Sequence, residues 1–447
     1  MNRNRTIIPF LFFVIGVVMF AVSCNRLTIQ LDQGWTLPIG VTSSIDSLVS
    51  GTDLYKSLGK AIALRWQDTS EKCFILERND GGGNYWKEAP SQDIPKGYSI
   101  PPTVEESGGR ILFPKNKATS DQMIIGILLA RIKEDGRIQI EPELKWTISK
   151  QTFFGEAGTN VSLNMAGFGN GSIYGQDIYL PYCMFSETLT DAVRAGPFDN
   201  GVFHSTNSGE TWQIERISVF EAGDPTVCRT KDCYYYFATR GLNNGYELWF
   251  SRKSNEGNSW STPTTTTKTF AVELGRYDVV AEGDTVHVCW MDRRHNKWRF
   301  DLSGPAIEND DIYYSHRKDS DSDWGKDVLL SKGVEYCYAP SISAEGNKVV
   351  VAWAGIPSAG KYHTDYDPND IFYVTSGDGG KTWTRPLKVT DGAKDGMTAG
   401  HPEVMLLNGV IHLFYIQGKM NLQQVGGLTK LNQPPWPIYY TERPFPN

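Results

Sequence analysis

The sequence predicts an all-β chain, a six-bladed β-propeller, and three observations lead there. The first is composition: 447 residues include 44 glycines, 13 tryptophans and 21 tyrosines, while long amphipathic helical patterns are nearly absent. That mixture suits many short strands joined by tight turns, because Gly supplies positive φ and aromatic rings pack on pleated, half-buried surfaces. The second is a repeated turn motif ending in Trp. The third is a repeated hairpin that falls between the copies of that motif.

The best copy of the motif is Ser376-Gly377-Asp378-Gly379-Gly380-Lys381-Thr382-Trp383, directly after the strand-like run Asp370 to Val374. A second, Ser205-Thr206-Asn207-Ser208-Gly209-Glu210-Thr211-Trp212, follows Val202-Phe203. A third keeps Asn255, Gly257, Ser259 and Trp260 at the same spacing but has Lys253 where the first serine should stand. Ser315 to Trp324 reads as a fourth, eroded copy. The spacing has a physical reason: Asp or Asn accepts backbone N–H groups across a hairpin, Gly takes the left-handed turn, and Trp plugs the gap beneath.

The hairpin element is clearest in Val279 to Trp290, which lines up with Ser341 to Trp353 and again with Glu403 to Tyr415. Each reads as strand, Gly-containing turn, strand, the inner half of a blade. Counting inner hairpins places six blades beginning near Ile100, Ile173, Thr226, Val279, Ser341 and Val404. Residues 61–86 are expected to pair with the last blade and close the ring. The Pro-rich tail 432–447 is expected to run extended along the outside.

A net charge of −7 with both signs interspersed offers no positive stripe for a phosphate backbone, which argues against nucleic acid as a partner. Arg3 and Arg5 precede an apolar run from Ile7 to Val22 and small residues leading to Cys24, an export signal too short for a comfortable membrane span. Residues 1–24 are therefore read as a signal, 25–58 as a tether and 59–447 as the propeller. Of the six other cysteines, Cys228 and Cys233 flank a hairpin tip, either as a cross-strand disulfide or as free thiols. No Cys/His spacing suits a metal, no HExxH is present, and His363 to Asp370 lacks calcium-loop spacing, so neither metal nor cofactor is expected.

The Trp-ended motifs are similar to Asp-boxes, and on a six-bladed propeller they resemble the sialidase superfamily over most of residues 95–420. Tyr98 to Val104 resembles that family's opening motif, Gly167 to Pro181 its second blade, and Gly223-Asp224-Pro225-Thr226-Val227 through Arg240 its third. Ala21-Val22-Ser23-Cys24 resembles a bacterial lipobox, with an ordinary signal peptide or an anchor helix as the alternatives. The lipobox implies lipidation at Cys24 and an extracytoplasmic protein anchored to a bacterial membrane, at the outer membrane or cell surface.

The sialidase resemblance implies an arginine triad clamping a substrate carboxylate, a tyrosine nucleophile activated by an acidic residue, and an aspartic acid at the leaving oxygen. Carried onto this chain, these roles fall to Arg240 and Arg293 for substrate binding and to Asp121, Asp224 and Tyr338 for catalysis. Three positions depart from the pattern. Ser99 stands where the first arginine belongs unless Arg110 compensates. Asp224 replaces a glutamate, with Glu221 as a weaker substitute. Ala339 occupies the nucleophile's aligned place, with Tyr338 adjacent and Tyr336 near. The resemblance thus implies a monomeric protein that either hydrolyses terminal sialic acid or a related acidic sugar, or binds glycan or protein without turnover.

Overall fold

The computed structural model describes residues 31–40, 49–57, 60–67, 72–78, 86–88, 103–105, 109–118, 122–133, 138–149, 164–185, 199–217, 222–242, 245–267, 272–294, 310–357, 368–419, 421–425, 428–432 and 437–446. They are all-β: strand follows strand, and the one helical element among the described residues is the 3-10 turn Ala393–Asp395.

The strands fall into antiparallel meanders in chain order, spanning 49–88, 103–149, 164–216, 222–265, 272–329, 334–388 and 397–419, the last completed from both chain ends. The fourth and fifth are linked through a single pair, Tyr246 with Val272. A two-stranded hairpin, Asn421–Val425 with Leu428–Asn432, stands apart from these seven meanders. The expectation for the N-terminal segment is corrected. Among the described residues, 61–86 do not pair with the last hairpin; with Val49–Ser57 they build a sheet of their own from Lys60–Gln67, Lys72–Arg78 and Trp86–Glu88. Its strand Val49–Ser57 lies against Met397–Leu407 of the seventh sheet.

Two further expectations are corrected at the chain ends. The tail does not simply run along the outside, because Ile438–Pro444 forms a ladder with Val410–Lys419. Ile438 and Tyr440 are buried while Tyr439 is half-exposed, the alternation of a one-sided strand. Nor are residues 25–58 a tether throughout. Ile39 and Gly40 pair with Tyr440 and Tyr439, and Trp35 meets Tyr373 edge-on at 5.2 Å.

The inner hairpins fold as their spacing requires. Glu282 pairs with Thr285, Glu345 with Lys348 and Leu407 with Val410 across turns in which Gly283, Gly346, Asn408 and Gly409 take positive φ. Successive turns are then pinned to one another. The Glu282 carboxylate accepts the Gly346 N–H at 3.0 Å, and Glu345 accepts the Asn408 and Gly409 N–H groups, each at 2.7 Å.

The two best motif copies adopt one geometry. In each, the serine hydroxyl donates to Asp378 or Asn207 and accepts the N–H of Gly380 or Gly209; the acidic or amide oxygen accepts the Thr382 or Thr211 N–H at 2.9 Å. The indole N–H of Trp383 or Trp212 closes the turn on the Gly380 or Gly209 carbonyl. Trp383 packs edge-on to Tyr314 at 4.7 Å, so the motif locks the sixth sheet to the fifth.

The third copy works differently. Lys253 cannot play the serine's part, and both Lys253 Nζ, at 2.6 Å, and Trp260 Nε1, at 2.7 Å, turn instead to the Glu215 carboxylate of the third sheet. His204 Nδ1 lies 2.7 Å from the same carboxylate.

Candidate functional site

Three inner strands share a backbone irregularity that the hairpin pattern does not announce. Asp224, Ala339 and His401 take positive φ, at 48°, 50° and 48°, and each precedes a proline. Residues before proline are normally pushed to extended conformations, and positive φ is uncommon outside Gly, so these are strained positions. Each coincides with a ladder irregularity, between Gly223 and Thr226, Tyr338 and Ser341, and Gly400 and Glu403. Tyr336, at φ 53°, lies at a second bulge on the Ala339 strand.

Hydrogen bonds between strands set these bulges along one edge. Tyr277 donates its hydroxyl to the Asp224 carbonyl. The next residue, Asp278, accepts the Ile342 N–H at 2.8 Å, and Ser341 accepts the Val404 N–H at 3.1 Å. The inner strands of the fourth to seventh sheets are thus fastened in order, each within three residues of its bulge or, in the fifth, of Tyr277.

The candidate residues divide accordingly. Asp224 is exposed at its bulge, and Arg240 stands on the neighbouring strand opposite Ala222. Arg240 is half-buried with its guanidinium 5.0 Å from the Trp249 ring centroid. Its cross-strand partner is Glu247, whose carboxylate accepts the Trp249 indole N–H at 2.8 Å. Arg293 donates to Asp310 at 2.9 Å, and the Asp310 carbonyl accepts the Cys337 N–H, which brings Arg293 to the strand that carries Tyr338. Tyr338 is half-buried, edge-on to the exposed His401 ring at 6.1 Å. Its hydroxyl sits over Gly400, where an added Cβ would crowd it. Asp121, Ser99, Tyr98, Glu221 and Cys24 lie outside the described residues.

Other candidates are occupied elsewhere. Arg110 is buried and donates from Nε and Nη2 to the Glu105 carboxylate at 2.7 and 2.8 Å, with the Gly175 carbonyl as a further acceptor, so it is a structural ion pair. Arg294 is held between Asp292 and Asp327 and stacks on Tyr313. Trp290 and Trp353, which end two of the repeated hairpins, are fully buried in the core. Cys228 and Cys233 are free thiols; the ladder pairs Cys228 with Tyr235 and Cys233 with Ser254, which puts the two cysteines out of register. Among the described residues no three His, Cys, Asp or Glu side chains gather to hold a metal.

Sequence reasoning missed His401. The signal was available, because Gly400-His401-Pro402-Glu403-Val404 repeats the layout of Gly223-Asp224-Pro225-Thr226-Val227 and Tyr338-Ala339-Pro340-Ser341-Ile342.

No protein-family model matches the chain, and no curated protein sequence is similar to it. Among solved structures, Trypanosoma rangeli sialidase in complex with 2,3-difluorosialic acid, described as a covalent intermediate, is similar with TM-score 0.44 and 9% identity over 92% of this chain and 59% of that one. The phage phi92 endosialidase gives 0.42 and 10% over 90% and 74%, and a thermostable family-43 glycoside hydrolase 0.30 and 13% over 60% and 93%. The chain spans about three-fifths of the trypanosomal sialidase's length. At such scores these neighbours fix neither reaction nor substrate.

Proposed function

We propose that this chain is an exported, lipid-anchored propeller of the sialidase type that binds glycan at the bulged inner edge without sialidase turnover. On this reading the sheets from 103 onward are six blades, and the 49–88 sheet is an addition beside the last. The observation that carries it is Ala339, which brings no hydroxyl to the strained position aligned with the family's nucleophile. Supporting it, Arg293 is engaged by Asp310 and Arg110 by Glu105. A substrate carboxylate would have to displace these partners, and leaving a buried carboxylate unpaired costs on the order of 2–4 kcal/mol.

A second reading, exo-α-sialidase activity with Tyr338 as nucleophile, Asp224 as its activator and Asp121 at the leaving oxygen, draws on the placement of Tyr338 beside Gly400 and His401. One experiment separates the two. Purified residues 25–447 are applied to a glycan array and to a fluorogenic sialoside. Retention without hydrolysis is expected; hydrolysis abolished by Tyr338→Phe would establish the second reading instead.

A further inference from the structure

We propose that the strap of residues 31–40, which lies over 387–391 and 438–446, faces the lipid bilayer, and that the protein is held close against it. The proposal rests on the lipid anchor at Cys24 but not on any glycan chemistry. Residues 31–40 form a strap pinned at every turn. Asp32 donates its N–H to the Lys388 carbonyl at 2.9 Å, and its carboxylate pairs with Arg443. The Thr36 N–H bonds the Glu442 carbonyl at 2.9 Å, while Thr441 donates its hydroxyl to the Thr36 carbonyl at 2.7 Å. Ile39 and Gly40 end the strap as a strand on Tyr440 and Tyr439.

Pinning shortens the leash. Were residues 25–58 free, the body could stand over ~100 Å from its anchor; with the strap docked, only seven Cα steps separate Cys24 from Leu31, a reach of ~25 Å. The strap also divides its side chains by face. Asp32, Trp35 and Thr36 turn inward, while Leu31, Gln33, Leu37 and Pro38 are exposed. Leu31 at 37% and Leu37 at 87% are two of the three large apolar side chains that the described residues expose, the third being Tyr174. Both leucines lie in the segment that starts where an acyl chain would hold it at the lipid, so they are the apolar groups placed to enter the headgroup boundary.

The test uses the full chain, acylated during expression and reconstituted in vesicles of phosphatidylethanolamine and phosphatidylglycerol with a diazirine-bearing lipid. Cross-linked peptides are mapped by mass spectrometry. Cross-links concentrated on the exposed residues of 31–38 and on Pro444 are expected, together with their dispersal when about 20 Gly/Ser residues, adding ~25 Å of reach, are inserted after Arg26. Acylated protein whose cross-links fall evenly on all faces, including the Gly283 and Asn408 turns, overturns the proposal alone, as does a pattern the insertion leaves unchanged. A Cys24 without acyl groups overturns the anchor and the proposal together.

Discussion

Replacing Glu215 should cost this protein a large part of its stability, and the structure sets the size. The carboxylate joins the third and fourth sheets by accepting from Lys253 and Trp260 and meeting His204. Lys253 has 5% of its side chain exposed, so Glu215→Ala strands a buried cation, a change worth about 3–5 kcal/mol. Titration leads to a similar figure. Burial alone would raise the Glu215 pKa, but the hydrogen bonds from His204 and Lys253 outweigh it and hold the group at about 2 against an ordinary 4.5. That displacement corresponds to about 3 kcal/mol. A depressed folded-state pKa contributes stability that is complete above the unfolded value and is lost as pH falls through the folded one. Unfolding free energy should therefore decline between about pH 5 and pH 2 in the parent and decline less in Glu215→Gln. Guanidinium unfolding of residues 25–447 at several pH values measures both effects, and Lys253→Met combined with Glu215→Gln should restore part of the loss. A loss below about 1 kcal/mol at pH 7 for Glu215→Ala, with the acid limb unchanged, would refute the reasoning.

Two other substitutions probe the repeats. Gly380→Ala places a Cβ onto the Tyr314 hydroxyl at a backbone φ of 86° and should cost about 3 kcal/mol or more, read as a lowered denaturant midpoint; a change under 1 kcal/mol would show that the turn readily moves. Glu345→Ala removes the acceptor for two turn N–H groups and should cost about 1–3 kcal/mol, with hydrogen exchange at Asn408 and Gly409 speeding while Gly346, held by Glu282, stays protected.

These residues also mark how far the sequence could be read. The motif turns at Asp378 and Asn207 were legible because their partners lie within four residues, and local spacing sets local hydrogen bonds. Lys253 looked like decay of the third copy. Its role depends on Glu215, 38 residues away on another sheet, and no spacing rule reaches that far. Arg293 was legible as a strand-end arginine, whereas its engagement by Asp310 was not.

By itself the sequence determined the strand and turn content, the positions of the inner hairpins from Thr226 onward and the lateral repeat, since each follows from side-chain alternation and turn chemistry within about ten residues. Only the tertiary structure decided that 39–40 and 438–444 join the seventh sheet, that 49–88 is a separate sheet, and that Asp224, Ala339 and His401 share a strained edge. Those outcomes depend on which strand edges remain open after neighbouring sheets have packed, and on which distant carboxylates reach each arginine and lysine, so they are properties of the assembled fold.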